Sequence, residues 1–365
     1  MFHSIPLNPA LARLPVYQPG RPIEEVAREL GRPAADIIKL ASNENPLGPS
    51  PLALAAMEQA LRQVHLYPDG SAFQLKAGLA GKLGLTPAHL ILGNGSNELI
   101  EFLGHALLAP DAEVVVSQFC FAVYPIITAL FGARLVTVPA RAHGHDLAAM
   151  LGAVTPKTRL LFVANPNNPT GTVVAREELR RFVQAVPPHV LLALDEAYLE
   201  FLDAPLDVVP AIRDGQCPNV VLLRTFSKIY GLAGMRLGYG IACPDLIAAL
   251  EKIRQPFNIN LVAQAGALAA LDDPAHVECT RRNNAAGLRF YEAAFQQLDL
   301  PFVPSAANFI LVRVGDGQRV FTELQRRGVI VRPMGGYQLP EWVRISVGTP
   351  AQNERCVREL QAVLA

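Results

Sequence analysis

Short apolar runs, each followed by a turn and a helical stretch, are the feature that most constrains the fold of this 365-residue chain. Between residues 70 and 255 these runs are HLIL, AEVVVSQ, ARLVTVPA, TRLLFVANP, HVLLALDEA, NVVLLRTFS and GYGIACP. Strands that are buried on both faces have this composition, and helices between them favour parallel pairing. The pattern therefore predicts an α/β fold with a mostly parallel central sheet flanked by helices.

The pattern changes after residue 258. Residues 261–298 are predicted to be helical, and NFILVRV, GVIVRPM and WVRISVG are predicted strands with helices between and after them. We therefore expect a large domain over 46–258, a smaller α+β domain over 259–365, and an N-terminal segment, 1–45, packing with the small domain. Two local signals are clear: Gly31 should end the helix of IEEVARELG, and Ser50 should cap a helix that begins at Pro51.

Composition excludes several classes of partner. The 32 basic and 32 acidic residues give a formal net charge of zero, so no bulk field attracts nucleic acid or an acidic membrane. No apolar run reaches the ~18 residues of a membrane helix, and the N-terminus lacks the pattern of a signal peptide. The five cysteines are scattered without metal-ligand or disulfide spacing. We expect a cytoplasmic protein with small-molecule substrates and no metal site.

Ligands of parallel sheets bind beyond the carboxyl ends of the strands, so the residues after each run are the candidates for a site. GNGSNE, residues 93–98, opens a helix and offers backbone N–H groups to an anion, although an ordinary strand–helix turn explains it alone. NPNNPTGT, residues 165–172, is a rigid polar turn. DEAY begins with Asp195, and TFSK ends with Lys228.

Lys228 stands in the apolar and glycine-rich stretch FSKIYGLAGMRLGYG, eight residues before Arg236. Burial and nearby cations lower the pKa of a lysine, and the neutral amine then attacks carbonyls to form a Schiff base. An arginine suits a phosphate. A solvated lysine would explain Lys228 alone. Together with Asp195 and the glycine-rich turn, it forms the set that binds pyridoxal phosphate: an amine, an acidic partner for the ring nitrogen and an anion cradle.

Seven motifs occur in an order that carries a family resemblance: ASNENPLGPSP, YPDG, GNGSNELI, NPNNPTGT, LDEAY, TFSKIYGLAGMRLGYG and VRISVGT. From about Leu14 onward the chain resembles the fold-type I pyridoxal-phosphate aminotransferases, in particular the histidinol-phosphate aminotransferase family. The resemblance implies a large cofactor-binding domain and amino transfer between L-histidinol phosphate and 2-oxoglutarate.

The resemblance also implies a role for each matching residue. Lys228 would hold the cofactor as a Schiff base and move the proton, and Asp195 would keep the ring nitrogen protonated. Asn168 and Tyr198 would bind the 3′-oxygen of the ring. The phosphate would be held by Gly95, Ser96, Asn97, Thr225, Ser227 and Arg236. Tyr67 would reach the cofactor phosphate of a partner subunit, which implies a homodimer.

Residues for the substrate follow in the same way. Arg344 would bind the α-carboxylate of glutamate, and the other candidates for substrate contact are Arg332, Tyr17 and Asn43. The stretch SQFCFAVYP, residues 117–125, departs from the family pattern at the aromatic residue that stacks on the cofactor ring. Phe121 fits by its spacing from Tyr124, and Phe119 is the alternative, because stacking needs only an aromatic face.

Other functions stay open on the sequence. An aromatic amino-acid aminotransferase, or a decarboxylase of a phosphorylated amino acid, would share these motifs, and Arg332 could be structural. A non-catalytic regulatory module would carry a DNA-binding segment, but no helix-turn-helix pattern precedes the first helix. We interpret His143 and His145 as solvated loop histidines, and Trp342 as part of the small domain's core.

Overall fold

The chain forms two packed units around separate sheets, as described by a computed structural model covering residues 9–12, 14 and 20–365. Its α-helices are α1 (Ile23–Leu30), α2 (Pro51–Ala60), α3 (Phe73–Leu83), α4 (Gly95–Leu107), α5 (Val123–Leu130), α6 (Leu147–Gly152), α7 (Arg176–Ala185), α8 (Val209–Arg213), α9 (Pro244–Glu251), α10 (Leu261–Leu271), α11 (Pro274–Gln297), α12 (Gly317–Arg326) and α13 (Pro350–Leu364). Its strands are β1 (Ile38–Lys39), β2 (Leu90–Asn94), β3 (Glu113–Ser117), β4 (Arg134–Val138), β5 (Thr158–Ala164), β6 (Leu191–Asp195), β7 (Val220–Thr225), β8 (Leu237–Ile241), β9 (Phe302–Val303), β10 (Phe309–Arg313), β11 (Val329–Ile330), β12 (Arg332–Pro333) and β13 (Trp342–Ser346).

The large sheet contains all seven predicted strands, in the order β2-β8-β7-β6-β5-β3-β4. β8 is antiparallel to both of its neighbours, and the other pairs are parallel. This confirms the predicted α/β fold with a mostly parallel central sheet. Because β5, β6 and β7 are adjacent and parallel, the residues that follow them meet at one edge of the sheet.

The strands are apolar because both faces of the sheet are covered by apolar side chains. Along β6, Leu192 and Leu194 belong to one apolar cluster, while Leu191 and Ala193 belong to another on the opposite face. Successive side chains of a strand point to opposite faces, so a strand covered on both sides needs apolar residues at every position. The run therefore ends at Asp195, where the sheet edge begins.

The small unit is built on the antiparallel sheet β12-β13-β10-β9. The N-terminal segment joins it through β1, which pairs with β11 in parallel. Val26 and Ala27 of α1 pack with Ile330 of β11. From residue 20 onward, the N-terminal segment therefore lies against the small unit.

The division between the two cores falls later than the residue 258 boundary drawn from the sequence. α10 packs on α2, and its Ala263 and Ala267 belong to the apolar cluster of the large unit. Tyr291 and Phe295, in the second half of α11, belong to the core of the small unit. The boundary therefore lies within α11, because α10 completes the layer of helices on the large sheet.

Local signals explain the ends of several helices. Gly31 adopts the left-handed conformation after α1, and the Ser50 side chain accepts a hydrogen bond from Ala53 N at 3.1 Å, as predicted. The predicted helix 261–298 is instead two helices, because Asp273 caps a new one by accepting from His276 N at 3.0 Å. Within the described ranges, no helix is both long and apolar enough to cross a membrane.

Candidate active site

A cavity at the carboxyl ends of β5, β6 and β7 brings together most of the predicted site residues. It is lined by Asn43, Gly95, Ser96, Asn97, Phe121, Asn168, Asp195, Tyr198, Thr225, Ser227, Lys228, Arg236, Arg332 and Arg344. Two predicted residues are not among them. Tyr67 is 82% exposed and stacks on Phe257, with ring centroids 4.7 Å apart, and Tyr17 lies outside the described residues. The small unit contributes Arg332 and Arg344, so the cavity lies between the two units.

Lys228 follows β7 and places its amine inside this cavity. Its Nζ lies 5.7 Å from the ring centroid of Tyr198. Burial, followed by the charges of Arg344 and Arg236, lowers the pKa of Lys228 to about 8, although Glu44 and Asp195 act in the opposite direction. The neutral amine that a nucleophilic lysine requires is therefore far more populated near physiological pH than in an ordinary lysine.

Asp195 ends β6 and presents a buried carboxylate to the same cavity. Its Oδ2 accepts a hydrogen bond from Tyr124 Oη at 2.6 Å, and its Oδ1 accepts one from Ala197 N at 3.1 Å. Burial raises the pKa of Asp195, while these two hydrogen bonds and the Lys228 charge oppose the rise. A carboxylate held in this way suits a protonated ring nitrogen.

Tyr124 is a site residue that the sequence analysis missed, since it served there only to fix the spacing of Phe121. Its buried ring stacks on Phe162, with centroids 4.2 Å apart and an interplanar angle of 3°. Burial and the Asp195 charge raise the pKa of Tyr124, so its hydroxyl stays protonated and donates to Asp195. A buried tyrosine normally finds a partner for its hydroxyl, but nothing in the sequence identifies that partner.

The anion cradle forms where the backbone at two glycines, Gly95 and Gly238, lies very close to neighbouring groups. Gly95 begins α4 with φ +72°, and a Cβ there would lie 2.5 Å from Arg236 Nη2. A Cβ on Gly238 of β8 would lie 2.5 Å from Ser96 N. The two glycines therefore let the Arg236 guanidinium and β8 reach the N-terminus of α4, where free N–H groups favour an anion.

Two hydroxyls extend the cradle at the end of β7. Thr225 Oγ1 donates to Leu237 O at 3.3 Å and accepts from Ser227 N at 3.1 Å. Ser227 Oγ is buried and has no hydrogen-bond partner within the described part of the chain. A buried hydroxyl normally has a partner, so this group is suited to a ligand oxygen.

The small unit supplies two cations to the opposite wall. Arg344 of β13 donates to Ala41 O at 3.1 Å and to Asn168 Oδ1, and its guanidinium lies 5.0 Å from the ring centroid of Phe309. Arg332 of β12 is paired with Arg344 in the sheet register. Neighbouring arginines of this kind suit carboxylate and phosphate groups.

The structure separates the two candidates for the stacking aromatic. Phe121 lines the cavity. Phe119 instead packs with Met334 and Leu339 of the small unit. The geometry favours Phe121 for contact with a ring in the cavity.

Two further predictions meet different outcomes. His145 is buried and its Nε2 bonds to Ala164 O at 2.8 Å, so the interpretation as a solvated loop histidine is wrong for it. Burial lowers the pKa of His145, which favours its neutral form. Trp342 packs, half-buried, against the same small-unit cluster as Phe119.

We predict that Tyr124→Phe weakens the binding of pyridoxal phosphate, the compound that this residue set fits, by about tenfold, as expected for a lost hydrogen bond to a charged group. Without that donor the pKa of Asp195 rises, so the loss should grow as the pH falls. Fluorescence titration of the apoprotein between pH 5.5 and 8 measures it. Tyr291→Phe, in the small-unit core, is the control. Equal affinities for Tyr124→Phe and the wild type at every pH would contradict the role.

We predict that reductive trapping of pyridoxal on Lys228 falls as the pH drops through about 8, because the amine is protonated below its pKa. Arg344→Gln should raise the midpoint, since the Arg344 charge lowers the pKa of Lys228. Mass spectrometry after borohydride reduction measures the trapped fraction. Arg313→Gln, an exposed arginine of the same small sheet, should leave the midpoint unchanged. A midpoint near 10 in the wild type would contradict the prediction.

Comparison with known proteins agrees with this geometry. The chain matches the family described as aminotransferase class I and II over residues 35–360. It is 52% identical to a histidinol-phosphate aminotransferase of Akkermansia muciniphila, over 98% of both chains. It is 50% identical to histidinol-phosphate aminotransferase 1 of Thiobacillus denitrificans, over 98% of this chain and 93% of that one.

A solved structure gives the same result. The histidinol-phosphate aminotransferase of Sinorhizobium meliloti, in complex with pyridoxal 5′-phosphate, superposes with a TM-score of 0.90 at 32% identity. The match covers 98% of this chain and 97% of that one. The chain therefore belongs to the class I and II aminotransferase family, as a pyridoxal-phosphate-dependent enzyme of the histidinol-phosphate aminotransferase group.

Proposed function

We propose that the enzyme transfers an amino group between L-histidinol phosphate and 2-oxoglutarate, with 3-(imidazol-4-yl)-2-oxopropyl phosphate and L-glutamate as the other pair, in histidine biosynthesis. The observation that carries the proposal is the identity of 50–52% over nearly the whole chain to relatives of that name. The two arginines on the small-unit wall add support, because both substrates carry an anionic group that an arginine can bind.

The cavity fits pyridoxal phosphate by its own chemistry. Asp195 is a buried carboxylate with one side toward the cavity, and Lys228 is an amine with a lowered pKa. Ser227 Oγ, without a partner among the described residues, and the space beside Gly95 are suited to phosphate oxygens. When bound, the cofactor supplies an electron sink for the carbon that exchanges its amino group.

Residues of the cavity supply proton transfer, protonation of the ring nitrogen and orientation of the substrate. Lys228 accepts the proton from the reacting carbon of the amino donor and later delivers one to the reacting carbon of the acceptor, for which a pKa of about 8 is suitable. Asp195, with Tyr124 and Ala197 N as its donors, holds a proton on the ring nitrogen. Arg344 clamps the carboxylate of glutamate or 2-oxoglutarate, and this orients the reacting carbon of that substrate toward Lys228.

We expect kcat/KM for L-histidinol phosphate to exceed that for phenylalanine and for tyrosine. Arg332→Gln should raise KM for histidinol phosphate by about tenfold or more, since it removes a charged hydrogen bond to phosphate. It should change KM for phenylalanine little. Arg313→Gln is the control, and a coupled glutamate assay gives the rates. A preference for phenylalanine would favour an aromatic aminotransferase, and release of carbon dioxide would favour a decarboxylase.

We also propose that the enzyme acts as a homodimer in which Tyr67 reaches the phosphate site of the partner. The segment between α2 and α3 exposes several large apolar side chains: Leu61, Val64, Leu66 and Tyr67. Phe257, on which Tyr67 stacks, is also exposed. Exposed apolar surface of this extent is typical of protein interfaces, and Tyr67 does not line the cavity of its own chain.

Complementation tests the homodimer. Lys228→Ala and Tyr67→Ala should each be impaired alone, the first fully and the second through weaker cofactor binding. When the two variants are unfolded, mixed and refolded together, one site of each mixed dimer regains both residues, so activity should exceed the sum of the separate samples. Mixing Lys228→Ala with Tyr291→Phe is the reference for refolding, in which the Tyr291→Phe homodimers contribute complete sites as well as the mixed dimers. Activity no greater than that sum would contradict a shared site.

The proposed location is the cytoplasm. Each of the five cysteines is free, and Cys120 and Cys356 are buried, where burial raises the pKa of both thiols to about 12. Unpaired, protonated thiols suit a reducing compartment.

A further inference from the structure

Asn43 connects the small unit to the tyrosine of the cavity through a continuous set of short hydrogen bonds. Its Nδ2 lies 2.9 Å from Tyr198 Oη, and its Oδ1 lies 3.0 Å from Ser346 Oγ. Its backbone N–H donates to the same Ser346 Oγ at 2.9 Å. Asn43 and Ser346 are both nearly inaccessible to solvent. The side chain that the sequence suggested for substrate contact is therefore occupied by protein groups.

The direction of these hydrogen bonds follows from one group that can only donate. Because the backbone N–H of Asn43 donates to Ser346 Oγ, that oxygen is an acceptor there, and its own proton is available for Asn43 Oδ1. This sets Oδ1 toward Ser346 and Nδ2 toward Tyr198. The opposite orientation of the amide would leave the Ser346 proton without an acceptor within this set. Tyr198 Oη thus accepts from Asn43, and its own proton points elsewhere.

The backbone of Asn43 explains why few other residues could take this place. Its φ is +56°, in the left-handed region that glycine, asparagine and aspartate adopt most readily. Its carbonyl accepts from Asn308 Nδ2 at 2.9 Å, which holds the residue from the small-unit side. Glycine lacks the amide, and aspartate cannot donate to Tyr198. Asparagine alone of the three has the backbone, the acceptor and the donor that the contacts use.

We propose that Ser346 and Asn43 are positioning residues that fix the hydroxyl proton of Tyr198 toward the cavity. The proposal rests on the proposed pyridoxal-phosphate chemistry, in which Tyr198 faces the 3′-oxygen of the ring, and does not depend on which amino donor is used. A hydroxyl that accepts one hydrogen bond becomes a better donor in the next. The small unit therefore acts on the cofactor ring through Tyr198 without touching it.

A second contact from β13, the strand of Ser346, also leaves a hydrogen-bond donor facing the cavity. Arg344, two residues before Ser346, donates to Asn168 Oδ1. This turns the Asn168 amide so that its N–H₂ is the group left for the cavity. Both candidates for the ring oxygen, Asn168 and Tyr198, are therefore presented as donors by groups of β13, one directly and one through Asn43.

The test uses the visible absorption of the pyridoxal-phosphate-loaded enzyme, titrated with pH and without any substrate. Donation from Tyr198 to the 3′-oxygen stabilises its anion, so the midpoint of the absorption change rises when donation is lost. Asn43→Gly, which keeps the left-handed backbone, should raise the midpoint by roughly half a pH unit to one unit, the equivalent of one hydrogen bond. Asn43→Asp should raise it further, because a carboxylate draws the Tyr198 proton away from the cavity.

The decisive measurement repeats Asn43→Gly in a Tyr198→Phe background. If Asn43 acts through the Tyr198 hydroxyl, the second substitution adds no further shift, as in a double-mutant cycle for coupled residues. An equal shift in both backgrounds would overturn the proposal, because a purely structural role would not require the hydroxyl. Asn219→Ala, which removes a half-buried amide that donates to Pro187 O and Val190 O before the start of β6 and β7, controls for general loosening of the fold.

Ser346→Ala provides the test if Asn43→Gly does not fold. It leaves Asn43 and its backbone unchanged and removes only the hydroxyl that orients the Asn43 amide. A rise of the midpoint that disappears with Tyr198→Phe supports the proposal, and an unchanged midpoint overturns it. The titration contains no amino donor, so its result stands even if histidinol phosphate proves not to be the substrate. Conversely, turnover of histidinol phosphate by the wild type is independent of the titration.

Discussion

The buried carboxyl group of Asp195 is the constraint on which the rest of the site depends. The end of a buried strand is a costly place for a charge, because burial favours the neutral form. Here Tyr124 Oη, Ala197 N and the charge of Lys228 reduce that cost. These groups come from α5, from the turn after β6 and from the loop after β7. All three elements must therefore be in place before the cavity has its chemistry, and the adjacency of β3, β5, β6 and β7 in the sheet secures this.

The cavity concentrates positive charge in a chain that has no net charge. Lys228, Arg236, Arg332 and Arg344 all line it, although the formal net charge is zero. The charges of Arg344 and Arg236 disfavour a proton on Lys228 and so contribute to its nucleophilicity. The same field attracts phosphate and carboxylate groups. One arrangement of cations thus serves both the reactivity of the amine and the binding of anionic ligands, which composition alone could not reveal.

Much of the site could be predicted from the sequence because the chemical groups directly follow apolar strands. Asp195 ends β6, Asn168 lies in the turn after β5, and Lys228 comes three residues after β7. Contacts between distant parts of the chain could not be predicted in this way. Tyr124 and Asp195 are 71 residues apart, and Asn43 and Ser346 are 303 residues apart. A spacing pattern contains no signal for such pairs, since only the folded sheet order brings them together.

The boundary between the two cores could not be predicted from local patterns either. Both α10 and α11 have helical patterns, but α10 and the second half of α11 bury their apolar residues in different units.

Within the small unit, by contrast, the alternation of side chains along one strand accounts for two contacts with distant parts of the chain. Val343, Ile345 and Val347 belong to the small-unit core. Since side chains alternate along a strand, Arg344 and Ser346 lie on the other face. Arg344 there bonds Asn168 and Ser346 bonds Asn43. A slip of β13 by one residue would bury the arginine in the apolar core and lose both contacts at once. The packing of three apolar side chains therefore fixes the register that places Arg344 against Asn168 and Ser346 against Asn43.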